Sequence, residues 1–452
     1  MIRTYNVIIV GAGPAGIFTL LSLLNKGIND VVILDMGKDI SSRNRENGKG
    51  GELLSGWGGA GAFSDGKLTF STEVGGFLNE LIPHRKLASL FVEADKIYLD
   101  YGGTQFKHCG KPEETEAIKK LAKLAGMEFI PMQIRHLGTE NCQSILTNIR
   151  QSLENKVEVR TETRVNNILI ENGRVQGVQL EDGEVIKGRI VVSAPGRVGA
   201  GWMQKEANRI HLTSIPSPVD IGVRVELPAV TLQKITDATY EAKLIYYSKS
   251  FDDRVRTFCM NPYGEVVAEE FDGIITVNGH SYANKKTDNS NFAILVSSTF
   301  TEPFDSPIGY GKYIAKLANL LGKGVIVQRL GDLLDGRRST RQRIDKCITT
   351  PTLGTATPGD LSFVLPYRCL KGIMEMLEAM DNIAPGVYSR HTLIYGVEVK
   401  FYSHRISLSK HLESEVENLF VIGDGAGITR GLLQASVCGM IAGKEIAKRL
   451  LK

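Results

Sequence analysis

Several absences narrow the reading of this sequence before any motif is considered. Its six cysteines, Cys109, Cys142, Cys259, Cys347, Cys369 and Cys438, are scattered and form no C-x-x-C pair. That spacing argues against a disulfide framework or a zinc ribbon and fits reduced thiols in a cytoplasm. A net charge of +4 over 452 residues gives no reason to expect nucleic acid as a partner. No metal-ligand spacing, low-complexity tract or internal repeat occurs. Apart from residues 7–24, no apolar run is long enough to span a bilayer. With 42% hydrophobic and 23% charged residues the composition is ordinary for a globular chain. Its length suggests two or three domains, or one nucleotide-binding domain carrying a large insertion.

What is present starts with that one run, VIIVGAGPAGIFTLLSLL, which follows Arg3. Length and a preceding cation suit a membrane anchor or a signal segment. The glycines argue otherwise. Gly11, Gly13 and Gly16 stand as G-x-G-x-x-G directly after NVIIV, a buried-strand pattern. Ile17, Leu20, Leu21 and Leu24 then recur at helical spacing, and Gly27 offers a helix stop. A second strand pattern, VVILD, ends in Asp35, nineteen positions after Gly16, close to the offset a ribose-binding carboxylate needs. The stretch therefore reads as strand, turn, helix and strand. Gly11 allows the tight turn, Gly13 lets a pyrophosphate approach bare backbone, and Gly16 lets the helix pack close. Pro14 and Ala15 complete the turn, whose free amides and helix dipole face the phosphates. Asp35, followed by Met36, would accept hydrogen bonds from a ribose and repel a 2′-phosphate, so the ligand is FAD or NAD and not NADP.

Further along, 43–70 is glycine-rich and aperiodic and reads as a long ordered loop. Helical patterns cover about 77–101, 113–125 and 139–154. Strand patterns VEVRTET, VNNILIENG, RVQGVQLEDG and EVIKGRIVVSAPG follow, with ENG and EDG as hairpin turns. From 213 to 300 the chain looks like an antiparallel sheet; a helix near 308–322 comes next, and NLFVIGDGAG returns to the opening style before an apolar helix from about Thr429. A β-meander and an insertion interrupting the nucleotide fold favour FAD over NAD. The expected class is α/β: an FAD-binding Rossmann-like domain of the glutathione-reductase type, with a β-meander and an inserted, mainly antiparallel α+β substrate domain. The expected boundaries are 1–205 and 385–452 for the FAD domain, including the helical segment at about 76–154, and 206–384 for the insertion.

Three segments resemble that superfamily: VIIVGAGPAG with Asp35, RIVVSAPGR with Ala194, Pro195 and Gly196, and NLFVIGDGAG with Gly423 and Asp424. Pro195 departs from the usual threonine. The resemblance implies that Asp424 binds the ribityl or pyrophosphate region. It also implies that Gly431 and Leu432, opening the last helix, present a positive dipole end to the flavin N1–C2=O edge and so raise its redox potential. SGWGGAGAFSDGKL, FCMNPYGEVVAEE, VNGHS and PVDIGVRVE further resemble a family of bacterial and archaeal FAD-dependent dehydrogenases, with geranylgeranyl reductases as more distant relatives. The fold and cofactor carry over; a substrate does not.

Chemistry is expected at two places. In the first, Gly59, Ala60 and Gly61 bring backbone against the flavin while Ser64, Asp65 and Lys67 reach its polar atoms; a lysine near N1 favours the reduced anion. In the second, the inserted sheet, Cys259, Tyr263 and His280 are the candidate proton donors to substrate. Each also has a plain reading, as a small buried hydrophobe, a turn residue and a loop histidine. The stretch RRSTRQR, 337–343, reads by default as a solvated face, with an anion site as its alternative.

Disulfide reductases of this superfamily carry a redox cysteine pair soon after the second strand, and a second G-x-G-x-x-G. Here no cysteine precedes Cys109 and no second fingerprint occurs. Dithiol chemistry is therefore not expected, and NAD(P)H would act as a transient reductant without a Rossmann domain of its own, or a ferredoxin-like donor would replace it. The leading reading is an FAD oxidoreductase that moves a hydride between flavin N5 and a small organic molecule, at a C=C or C–N bond. The alternatives are a non-redox binding protein like the GDP-dissociation inhibitors, and a flavin-dependent RNA-modifying enzyme. No membrane span is expected, and oligomeric state is left open.

Overall fold

A computed structural model describes residues 3–43, 53–271, 273–282, 285–300, 306–400, 402 and 404–452. The chain divides into two compact units. The first comprises Met1–Lys107, Ile134–Ser217 and Tyr402–Lys452, the second His108–Gln133 and Pro218–Phe401. Crossings thus fall at 217/218 and 401/402 where the sequence suggested 205/206 and 384/385, and 108–133 belongs with the second unit. The reason for the latter is pairing: strand Met127–Ile130 is hydrogen-bonded to Lys243–Tyr247 in the second unit's sheet.

In the first unit the run 7–24 is split between strand Thr4–Val10 and helix Pro14–Leu24. Among the described residues no helix is long and apolar enough to cross a membrane. Strand Thr4–Val10 is parallel to Val31–Leu34 on one side and to Val185–Ser193 on the other. Val7, Ile8 and Ile9 are fully buried, as a strand covered on both faces requires. Glu158–Arg160 extends the sheet in parallel beyond Val31–Leu34. The early half of Val185–Ser193 carries the antiparallel meander Arg174–Leu180 and Val165–Glu171, and its later half pairs in parallel with Leu419–Val421. The final strand therefore lies two places from the first, with Val185–Ser193 between them.

Helix Pro14–Leu24 packs against the C-terminal helix Leu432–Leu450 through glycines. A Cβ on Gly439 would stand 2.1 Å from the Ala15 carbonyl oxygen, and one on Gly443 would be 2.7 Å from Ser22 Cβ and 2.8 Å from the Thr19 oxygen. The Thr19 hydroxyl donates across the same contact to the Gly439 carbonyl at 3.2 Å. Gly443→Ala is expected to lower the unfolding midpoint by overpacking, at a cost of about 1–3 kcal/mol. Gly201→Ala is the control, since a Cβ there meets nothing within 4 Å; equal midpoints for the two variants in a thermal melt would refute the contact.

Two helices depart from their expected bounds. The pattern at 77–101 is two helices, Leu78–Leu81 and His84–Asp100, because Pro83 between them has no amide to continue the ladder. The last helix begins at Leu432, after Thr429 has bridged to Gly76 in antiparallel fashion.

The second unit holds an eight-stranded sheet. Its order is Thr357–Pro358, Ile326–Arg329, Leu393–Lys400, Val219–Pro228, Asn289–Ser298, Arg254–Asn261, Lys243–Tyr247 and Met127–Ile130. Alternation along Val219–Pro228 turns Val219, Ile221, Val223 and Val225 into an apolar cluster with residues of helices Tyr367–Asp381, Ala229–Thr239 and Pro112–Leu124. Asp220, Arg224 and Glu226 alternate with them and face the other way. These three are buried as well. The 213–300 stretch is thus largely antiparallel, as its pattern suggests, but includes helix Ala229–Thr239.

Candidate functional site

Three loops converge at the carboxyl ends of the first unit's parallel strands. Gly11, at φ +104°, leaves only 2.1 Å between its absent Cβ and the Ala194 carbonyl oxygen. Ala194 in turn donates its amide to Val10 at 2.7 Å. A Cβ on Gly16 would be 1.9 Å from the Gly11 oxygen, so turn and helix are in contact through bare backbone. A Cβ on Gly423, at φ +77°, would stand 3.1 Å from the Ala15 methyl, and one on Gly425 would meet Pro195 and Gly196. Gly13 differs from these neighbours: nothing lies within 4 Å of the position its Cβ would take.

The glycine loop closes over this arrangement, although its 44–52 portion lies outside the described residues. Gly58 donates to the Ala12 carbonyl at 2.8 Å. Gly59 sits 3.1 Å from Gly13 Cα, and Gly61 sits 2.9 Å from Leu432 and 3.4 Å from Pro14, measured from built Cβ positions. Two helices thus begin beside one loop, at Pro14 and at Leu432, and neither has a side-chain cap. Uncapped first-turn amides are ready partners for anionic oxygen.

Asp35 organises the loops. Its Oδ2 accepts from the Ala12 amide at 2.7 Å, and its Oδ1 accepts from Gly37 at 2.8 Å and Gly56 at 2.7 Å. One lone-pair direction on Oδ2 stays available for a hydroxyl. Met36 follows as a half-buried turn residue. Arg43, which sequence reasoning passed over, is buried and donates to the carbonyls of Trp57, Gly59 and Leu53 at 2.6, 3.0 and 2.9 Å. Burial pushes its guanidinium down to about 10, against the pull of Asp35. Nothing in the sequence marked it, because the carbonyls it holds are brought together only by the loop's path. Gln434, also unforeseen, ties the start of the last helix to Thr69 and Val74 carbonyls at 3.1 and 3.0 Å.

Ser64 is engaged within its own loop, donating to Gly61 at 3.1 Å and accepting from Gly66 at 3.2 Å. Ala60 is half-buried beside it. Lys67 forms an ion pair with Asp65 at 3.4 Å. Burial opposes ionisation of Asp65, but Lys67 and His136 outweigh it and hold the carboxyl below its usual range. Asp424 goes the other way: burial raises it, against the Thr429 hydroxyl, 2.6 Å away, and the charges of Arg197 and Arg430. Gly431 is extended at φ 172° and precedes Leu432.

In the second unit Cys259 and Tyr263 both adopt left-handed backbone, at φ 43° and 52°. Cys259 lies within the irregularity between Phe258 and Asn261, and Tyr263 just beyond it. The Cys259 thiol lies 3.7 Å from Asn261 Oδ1, its carbonyl accepts from Arg224 at 2.8 Å, and the Tyr263 amide donates to Ser290. His280 ends strand Ile274–His280, opposite Glu265, with Nε2 3.9 Å from Glu269. Behind them Arg224 and Glu398, both fully buried, pair through two hydrogen bonds of 2.8 and 2.9 Å. Asn261, Asn278 and Asn291 oxygens take further Arg224 donors. The arginines of 337–343 divide: Arg337 binds the buried Asp332 at 3.0 Å together with Arg329 and Ser339, while Arg338 and Arg341 are exposed.

A glycine fingerprint on a parallel sheet, crossed by an antiparallel meander and closed by a terminal strand and helix, defines a dinucleotide-binding protein of the flavoprotein class. The sequence matches the family described as FAD dependent oxidoreductase over residues 6–291. The chain belongs to that family and is an FAD-dependent oxidoreductase. Residues 218–401 also match an "FAD-dependent protein, C-terminal domain-like" family, over the long segment of the second unit. An uncharacterized protein of Clostridium beijerinckii is 27% identical over 474 residues, covering 98% of this chain and 80% of that one. Among solved structures, L-proline dehydrogenase from P. horikoshii is similar at 13% identity and TM-score 0.44, with 99% of this chain and 95% of the other covered. Pyridoxine 4-oxidase from Mesorbium loti is similar at 11% identity and TM-score 0.44, with 99% of each chain covered.

Proposed function

We propose that the first unit holds FAD with its diphosphate at Gly11–Gly16 and its ring by Gly59, Gly61 and the start of helix Leu432–Leu450. In this reading the protein moves a hydride between FAD and an organic substrate, at a C=C or C–N bond. One observation supports it above the rest: the glycine loop meets the fingerprint at Gly13 and the last helix at Leu432, 3.1 and 2.9 Å from its built Cβ positions. Bound FAD supplies the two-electron hydride chemistry. The chain's own residues do the holding. Gly13 offers open backbone to the phosphates, Asp35 clamps three amides and keeps one acceptor for a ribose hydroxyl, and the uncapped amides at Leu432 favour negative charge on the reduced ring. Ser64, Asp65, Lys67, Ala194, Pro195, Gly196, Gly423 and Asp424 line the same loops. Cys259, Tyr263 and His280 are the proposed proton donors, and NAD(P)H or a ferredoxin-like protein the proposed electron source in a cytoplasmic setting. Family membership does not favour a non-redox binding protein or an RNA-modifying enzyme.

The test is anaerobic. Purified yellow protein is expected to bleach with NADH, NADPH or reduced ferredoxin and to recover its spectrum on addition of an activated alkene or an imine. Reduced protein that no such acceptor reoxidises would remove the proposed reaction.

A further inference from the structure

We propose that the polar face of the second unit's sheet carries an oxyanion site, built by Lys243, Arg256 and Lys400 around the ring of Phe258, that takes the carboxylate or phosphate of the organic substrate. This deepens the reading above and rests on it for the word substrate; the site itself stands on separate observations.

Arg256, Lys400 and Lys243 place their cationic groups 5.0, 5.5 and 5.9 Å from the centroid of Phe258. They come from three different strands, Arg254–Asn261, Leu393–Lys400 and Lys243–Tyr247. Three carboxylates share this face, of which Glu226 is taken up by Asn289, Thr352 and Tyr395. Asp220 pairs with Arg256 and accepts from the Ser297 hydroxyl at 2.6 Å. Glu398 pairs with Lys400 at 3.0 Å and with Arg224 through both oxygens. Of the four cations here, Arg256 pairs with Asp220, and Arg224 and Lys400 pair with Glu398.

Lys243 is the one left over. It is 8% exposed, and its ammonium has no hydrogen-bond or ion-pair partner among the described residues, only the Phe258 ring. Burying a cation in that state is strongly unfavourable unless a counter-charge arrives. Burial first, then Arg256 and Arg254, push its ammonium well below the usual lysine range, against Glu241 and Asp220. An incoming oxyanion would reverse that shift and share hydrogen bonds with Lys243 while lying within reach of the two neighbouring cations. The edge and face of Phe258 would bound the apolar part of the same molecule.

Flavin-loaded, full-length protein is titrated with succinate, inorganic phosphate and chloride at constant ionic strength, following the unfolding midpoint and the binding heat. Succinate or phosphate is expected to raise the midpoint well beyond chloride; the larger response assigns the group as carboxylate or phosphate. Lys243→Met is expected to weaken that binding by about tenfold or more, the loss of one charged hydrogen bond. It should also raise the ligand-free midpoint, since an unpaired buried charge is gone, with flavin content unchanged. Lys243→Arg is expected to keep most of the binding. Neither anion exceeding chloride, or equal responses from wild type and Lys243→Met, would overturn the site. If Lys243→Met does not fold, Lys243→Arg and the wild-type titration decide. Anion binding that persists in a protein failing the reoxidation test keeps this site and discards the reaction.

Discussion

Gly13→Val is expected to yield a folded protein that no longer retains FAD. A Cβ at Gly13 meets no protein atom within 4 Å, and its φ of −77° is open to any residue. The fold therefore loses only the small difference between glycine and valine as a helix N-cap, about 1 kcal/mol. In the proposed complex that same open direction is where the diphosphate comes against bare backbone, and an isopropyl group would hold it away. A loss of affinity of about two orders of magnitude or more, some 3 kcal/mol, is the expected size. Gly11→Ala provides the contrast. Its methyl would lie 2.1 Å from a backbone oxygen at φ +104°, so that variant is expected to lose the fold itself. Flavin absorbance after gel filtration, with circular dichroism on the same fractions, separates the two. Gly13→Val that elutes fully yellow would place the diphosphate somewhere else.

Glu398→Ala is expected to be the most destabilising single change in the second unit. It leaves the fully buried Arg224 guanidinium without its two-oxygen partner. Breaking a buried pair by removing one member costs about 3–5 kcal/mol, or roughly 6–20 °C in the midpoint of a unit this size. Removing both charges, as Arg224→Met with Glu398→Leu, is expected to recover part of that loss. Recovery is incomplete because Asn261, Asn278, Asn291 and the Cys259 carbonyl all accept from Arg224 and would lose that donor. A Glu398→Ala midpoint within about 2 °C of wild type would show that water or another group has replaced the pair.

Local elements were readable from residues close together in sequence. Gly11, Gly13 and Gly16 with Asp35 specify a strand, turn, helix and strand because turn sterics and helical spacing act over a few residues. The strand pattern of VDIGVRVEL announced a member of an antiparallel sheet for the same reason. Less legible were contacts joining distant segments. The segment at 127–130 looks like the end of a helical stretch, yet it becomes an edge strand of a sheet whose other members begin at 219. Arg43 carries no motif, since its partners are carbonyl groups, which every residue has. RRSTRQR reads as a charge run until the buried Asp332, a few residues before it, is seen to hold Arg337.

The sequence by itself determined that this protein has a dinucleotide fingerprint on a parallel sheet and an antiparallel insertion, because both follow from periodicity and glycine spacing within short windows. Tertiary structure alone decided that Gly59 and Gly61 close on Gly13 and Leu432, that Asp35 clamps three amides, and that the Lys243 side chain is buried beside Phe258. Those outcomes depend on which surfaces meet after folding, and desolvation acts on a charge only once distant strands have enclosed it.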